Sequence, residues 1–248
     1  MATLEVCIDS VASALHAERG GADRVELCDN LLEGGTTPSA GCIEVVRASI
    51  KIGLQVIIRP RGGDFLYDDL EFEMMKKDIQ VAKDLGADGV VLGILTAQGH
   101  VDRDRTAQLL ERARPMNVTF HRAFDMTVEP IQALEDLIEL GIDRLLTSGQ
   151  QPTAPQGAAL IQELVQRAGN RIILMPGGGI NEDNIRDLIQ QTGVQECHVS
   201  GRGAVTSRME YQNPHVYMGI PSQPEYERKI TYATRIQAMK NSMTPHEA

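Results

Sequence analysis

A short phrase that recurs four times constrains the fold of this 248-residue chain more than any other feature. A glycine, a small or branched residue and a polar residue precede an apolar run at Gly21-Ala22-Asp23-Arg24-Val25, Gly86-Ala87-Asp88-Gly89-Val90, Gly141-Ile142-Asp143-Arg144-Leu145 and Gly193-Val194-Gln195-Glu196-Cys197. Glycine enters the left-handed conformation that ends a helix without steric cost, so each phrase reads as a point where a helix turns back into a strand. The chain is therefore organised in repeated αβ units.

Four further strand-like runs, at residues 3–8, 54–59, 118–121 and 171–175, lie between the phrases and bring the strand count to eight. Stretches with apolar positions at helical period alternate with them, at 10–19, 72–85, 106–113, 130–140, 158–168 and 183–191. Ser10 stands where an N-cap is needed and Pro130 where a first turn begins. Eight βα units in strict alternation predict an α/β fold of the (β/α)8 TIM-barrel class, with an open doubly wound sheet as the alternative. No stretch has a linker's composition, so one domain over residues 1–248 is expected, with a C-terminal helix and tail from about 226. The loops at 29–41, 60–69 and 202–225 are long, and unequal loops on one face mark the functional end of such a barrel.

Composition excludes several classes of partner. A formal net charge of −10 repels phosphate polymers and anionic lipid surfaces, so neither nucleic acid nor a membrane is an expected partner. The first seven residues have neither a basic nor an apolar signal region, and the most apolar stretch, at 89–95, is too short to cross a bilayer, so a cytoplasmic address is expected. The four cysteines lack the spacing of a disulfide scaffold and read as thiols. All six lysines are expected on helices or their flanks, which disfavours Schiff-base chemistry at the mouth.

Alternation along the strands sorts side chains into those that meet the helices and those that fill the barrel. Val6 and Ile8 facing the helices turn Glu5, Cys7 and Asp9 inward; Val25 and Leu27 do the same for Glu26 and Cys28. By the same parity Gln55, Ile57 and Arg59, then Thr119 and His121, then His198 and Ser200 face the interior. Two readings stay open for this polar set. Glu5, Glu26 and Arg59 form a structural ion network, or Glu5, Glu26, Arg59, His121 and His198 supply the acid, base and anion-stabilising groups of a reaction on a small anionic or phosphorylated metabolite. Cys7 and Cys28, at equivalent places on neighbouring strands near the rim, either share a soft metal such as monovalent copper or zinc, or are small buried hydrophobes. Gly178 and Gly179 after strand seven, with Gly201 and Arg202 after strand eight, are candidates for binding an anion through backbone amides.

The runs Glu5-Val6-Cys7-Ile8-Asp9-Ser10, Glu33-Gly34-Gly35-Thr36-Thr37-Pro38-Ser39, Ile58-Arg59-Pro60-Arg61-Gly62-Gly63-Asp64-Phe65, Thr119-Phe120-His121-Arg122-Ala123-Phe124-Asp125 and Met175-Pro176-Gly177-Gly178-Gly179-Ile180 together resemble the CutC family from Leu4 to about Gly219. The resemblance implies a cytoplasmic barrel protein of copper homeostasis that binds a copper ion through cysteines, and it places those ligands at Cys7 and Cys28. A homodimer is expected as the assembly.

Overall fold

The computed structural model describes residues 2–216, 218 and 224–243. Eight parallel strands follow the chain: β1 (Thr3–Ile8), β2 (Arg24–Leu27), β3 (Gly53–Ile57), β4 (Gly89–Leu92), β5 (Asn117–Phe120), β6 (Arg144–Thr147), β7 (Ile173–Pro176) and β8 (Glu196–Val199). Their order is β7-β6-β5-β4-β3-β2-β1-β8, and a bridge from Gly177 to His198 brings the two ends of that order together into a barrel. Seven helices alternate with the strands: α1 (Val11–Arg19), α2 (Ala40–Ser49), α3 (Asp69–Asp84), α4 (Arg103–Ala113), α5 (Pro130–Leu140), α6 (Ala158–Ala168) and α7 (Ile185–Thr192). The expected junction glycines all take the left-handed conformation, at φ 86° for Gly21, 80° for Gly86, 79° for Gly141 and 75° for Gly193.

Three elements depart from the sequence-based expectation. Helix α2 begins inside what reads as the end of a long loop; Ser39 caps it by accepting from the Cys42 amide at 3.2 Å. The segment after β8 is an antiparallel hairpin, β9 (Arg202–Thr206) with β10 (Glu227–Thr231), rather than a loop, so the C-terminal segment opens on a strand and only then forms α8 (Ala233–Ser242). Lys229 accordingly lies in β10 and not on a helix flank. The hairpin is seated on α1, where His16 Nδ1 meets the Thr231 carbonyl at 2.8 Å.

Alternation divides the strands as expected. Leu4, Val6, Val25, Leu27, Leu54, Val56, Val90 and Leu92 are wholly buried and join the helices in one aliphatic core. The inward residues at the amino ends of the strands carry charge. Glu5 Oε2 accepts from Arg24 Nε at 2.5 Å, Arg24 also pairs with Glu196, and Glu196 Oε2 accepts from Arg144 Nε at 2.5 Å. Arg144 further donates to Thr119 Oγ1 at 3.2 Å. Two carboxylates and two guanidiniums thus satisfy one another across the barrel floor, which is the condition for keeping such groups out of water. The ion network exists, but its members differ from those expected: Arg24, Arg144 and Glu196 join Glu5, whereas Glu26 and Arg59 lie above it.

Removing one member of the network leaves its partner buried and unpaired. Arg24→Met is expected to lower unfolding free energy by about 3–5 kcal/mol in urea titrations, against little change in melting temperature for Arg171→Ala, which breaks the exposed pair with Glu135. A loss no larger for Arg24→Met than for Arg171→Ala would contradict the floor's role. At Gly20 an added Cβ would sit 2.6 Å from Ile236 Cβ and 2.7 Å from the Ala233 carbonyl, so Gly20→Ala is expected to displace α8 and cost about 1–3 kcal/mol by the same titration.

Candidate functional site

A cavity of about 310 Å³ opens at the carboxyl ends of the strands. Cys7, Glu26, Ile57 and His198 from the barrel line it, together with Arg59, Phe65, His121, Arg122 and Asp125 from the loops that follow β3 and β5. A depression at the opposite end of the barrel, lined among others by Val165, Ile173 and Val194, carries no titratable side chain. Of the two, the cavity at the mouth is the one lined by titratable side chains.

Strand register assembles the thiol side of the cavity. Cys7 pairs with Glu26 across β1 and β2, so Cys28 stands two residues further along rather than at an equivalent position. The sulfurs nevertheless converge, with Cys7 Sγ 3.8 Å from Cys28 Sγ, and Cys28 Sγ is 3.4 Å from Glu26 Oε2. His198 completes the group: its Nε2 is 3.6 Å from Glu26 Oε2 and its Nδ1 meets Glu5 Oε1 at 2.7 Å. One donor atom from each of Cys7, Glu26 and His198 lies within 4.8 Å of the others, close enough to bind one ion. Two thiolates at about 2.3 Å from a tetrahedral metal sit about 3.8 Å apart, so the sulfur pair has the spacing of ligands to one ion and not of a disulfide.

The electrostatics favour a thiolate here. The hydrogen bond from Cys28 outweighs burial and, with His198, holds the Cys7 thiol well below its ordinary value; the same bond and burial push Cys28 well above. Burial opposes charge on His198, yet Glu26, Cys7 and Glu5 together raise it well above the ordinary histidine value. Burial and the neighbouring Cys7 sulfur push Glu26 up to about 8. Burial works against ionised Glu5 too, but Arg24 and His198 prevail and bring it down to about 2. Glu5 lies beneath the cavity and touches it only through His198, so it orients that ring rather than meeting a ligand.

The other side of the cavity is built differently. Arg59 directs Nη1 to the carbonyls of Glu33 and Gly35, both at 2.7 Å, and Nη2 to that of Gly63 at 2.9 Å, so it ties two mouth loops together. His121 Nδ1 accepts from the Ala123 amide at 3.2 Å, which leaves the ring proton on Nε2. Burial and the nearby Arg59 charge lower His121 to about 3, so the ring is neutral. Asp125 anchors the loop after β6: it accepts from Thr147 Oγ1 at 2.5 Å, from the Ser148 and Gln150 amides, and from Arg122 Nε at 2.7 Å. Phe65 stands on a loop, and Arg122 and Asp125 in a short 3-10 helix after β5, where strand alternation has no reach; the only sequence signal for them is their place in the quoted motifs.

The glycine candidates stand apart from the cavity lining. The Gly178 carbonyl accepts from the Ala154 amide at 2.8 Å and that of Gly179 from Asn184 Nδ2 at 2.9 Å. Gly201 is needed for packing, since a Cβ there would meet Ile236 Cδ1 at 2.5 Å, and Arg202 opens β9 with Nη1 3.8 Å from Asp9 Oδ2. The structure thus brings Glu26, Arg59, His121, His198 and Cys7 to one cavity, with Cys28 bonded to its wall, and leaves Gly178, Gly179, Gly201 and Arg202 outside it.

Comparison with known proteins agrees with this architecture. The family model described as CutC family matches residues 2–203. A family protein CutC of Chromobacterium violaceum is 52% identical over 240 residues, covering 97% of each chain, and the copper homeostasis protein cutC homolog of Homo sapiens is 50% identical over 237 residues, 95% of this chain and 87% of that one. The crystal structure of a CutC protein from Streptococcus agalactiae superposes with a TM-score of 0.77 at 37% identity, covering 81% of this chain and 99% of that one. By its sequence and by its barrel, this chain belongs to the CutC family.

Proposed function

We propose that this chain binds monovalent copper as its cargo, in copper homeostasis, through Cys7 and Cys28 at the barrel mouth with His198 as third ligand. The observation that carries the reading is the sulfur pair 3.8 Å apart with the His198 and Glu26 donors beside it. Soft thiolates and an imidazole suit monovalent copper, and a spacing near 3.8 Å fits three- or four-coordinate metal better than a linear two-sulfur complex. The hydrogen bond from Cys28 makes Cys7 give up its proton more readily than an ordinary thiol. Cys28 donates to Glu26 Oε2 at 3.4 Å, and because Glu26 already holds its own proton up to about 8, the protons that Cys28 and His198 lose on binding metal go to solvent, so binding strengthens as pH rises. Glu5 fixes the His198 ring from below, the outer-shell support that metal-bound imidazoles require. The names of the relatives from mouse and human point to the same cargo. Four free thiols fit a reducing compartment, in keeping with a cytoplasmic address.

The direct test is competition for monovalent copper against a chromogenic chelator. Wild type is expected to hold one equivalent, and Cys7→Ser with Cys28→Ser to lose at least about a hundredfold in affinity; equal affinity in both proteins would end the reading. Glu5→Gln is expected to weaken binding by about tenfold without removing a ligand, because it releases His198 Nδ1; an affinity unchanged from wild type would remove Glu5 from the site.

A further inference from the structure

The thiol group occupies one wall of the cavity and leaves most of its volume unused. A single ion needs a small part of about 310 Å³, a size at the lower end of the range that encloses small organic ligands. The opposite wall has two features of a built binding site. Arg59 is 5% exposed, yet among the described residues it forms no ion pair; the carbonyls it meets solvate the guanidinium but bring no charge. Buried charges are ordinarily paired, so a negative charge is missing. His121, 4% exposed, has no partner for Nε2, and Arg59 Nε is likewise without one. Both groups are donors, and both pack on the same Phe65 ring, Arg59 Cζ at 5.1 Å and the His121 ring at 5.0 Å from its centroid.

The seating of His121 is specific. A Cβ at residue 93 would come within 2.5 Å of its Nδ1, so Gly93 is what allows the ring to lie where it does. With Nδ1 held by Ala123, the edge that remains for a ligand is the one carrying Nε2.

We propose that this side of the cavity binds a small organic monocarboxylate, its oxygens accepting from His121 Nε2 and the Arg59 guanidinium and its apolar body resting on Phe65, Leu146 and Met126. Charge selects the class. Arg122 is already neutralised by Asp125, and His198 by the groups around it, which leaves Arg59 as the buried cation of the cavity without an ion pair; the Glu33 carboxylate also lines the cavity, but it is exposed and solvated by water. A monoanion matches it, whereas a phosphate dianion would add a charge beside Glu33 and Asp125. The site stands on donors separate from the sulfurs and does not depend on the copper reading.

The test is thermal unfolding of the metal-free full chain with about 10 mM benzoate, hexanoate or pyruvate, against benzamide, phenyl phosphate and sodium chloride at matched ionic strength. At least one carboxylate is expected to raise the melting temperature well beyond its neutral and phosphorylated counterparts. The same shift is expected in the Cys7→Ser, Cys28→Ser variant, which separates this site from the thiol site. His121→Phe keeps the ring but removes the donor, and Leu146→Trp fills the cavity; each is expected to weaken binding by about tenfold or more. If no carboxylate shifts the melt, if benzamide or phenyl phosphate shifts it as far, or if both variants bind as wild type does, the proposal is wrong.

Discussion

A carboxylate sealed inside a closed barrel must find its partners within the barrel, and the two oxygens of Glu5 do so in opposite directions. Oε2 takes the Arg24 guanidinium of the floor, and Oε1 takes Nδ1 of His198, which faces the cavity. Breaking either contact would leave a buried charge whose desolvation costs several kcal/mol. The floor network and the mouth chemistry are therefore coupled through one wholly buried side chain, and the orientation of His198 is fixed by the same interactions that let the barrel close around charge.

Above that floor the cavity divides by chemistry. Toward β1, β2 and β8 it presents the Cys7 sulfur, backed by that of Cys28, with an imidazole and a carboxyl whose ionisation states depend on one another, a set that suits a soft cation. Toward β3 and β5 it presents an uncompensated guanidinium and a neutral imidazole donor over an aromatic ring, a set that suits an anion. The two walls share one volume without sharing a donor atom.

Much of this was legible in the sequence, for physical reasons that also explain what was not. Positive φ at Gly21, Gly86, Gly141 and Gly193 is a local backbone requirement, so the junctions could be read directly and the strand count followed. Parity then turned Glu5, Cys7, Glu26, His121 and His198 inward, since one face of each strand must meet the helices. Parity does not give stagger, and so the offset of Cys28 from Cys7 was invisible. Arg24, Arg144 and Glu196 stand at the first position of their strands, where a polar residue reads as part of a turn, and their service as the floor required knowing which strands close on which. Helix α2, opening on Ala40, Gly41 and Cys42 and carrying two adjacent valines, has weak helical patterning, and its main signal is the Ser39 cap. The β9 and β10 hairpin joins strands about twenty residues apart, across a stretch with several turn signals such as Asn213-Pro214, Gly219 and Pro221 rather than one short turn, so nothing local announces the pairing.

The central proposal is that Cys7, Cys28 and His198 bind one copper ion at the barrel mouth, where the Cys7 sulfur lies 3.8 Å from that of Cys28 and clusters with the Glu26 and His198 donors. Anomalous diffraction from crystals loaded with monovalent copper under reducing conditions tests it most directly. The account predicts a single strong peak within bonding distance of both sulfurs and of His198 Nε2. A peak on surface histidines or on Cys42, with the Cys7 and Cys28 sulfurs left bare, would contradict it.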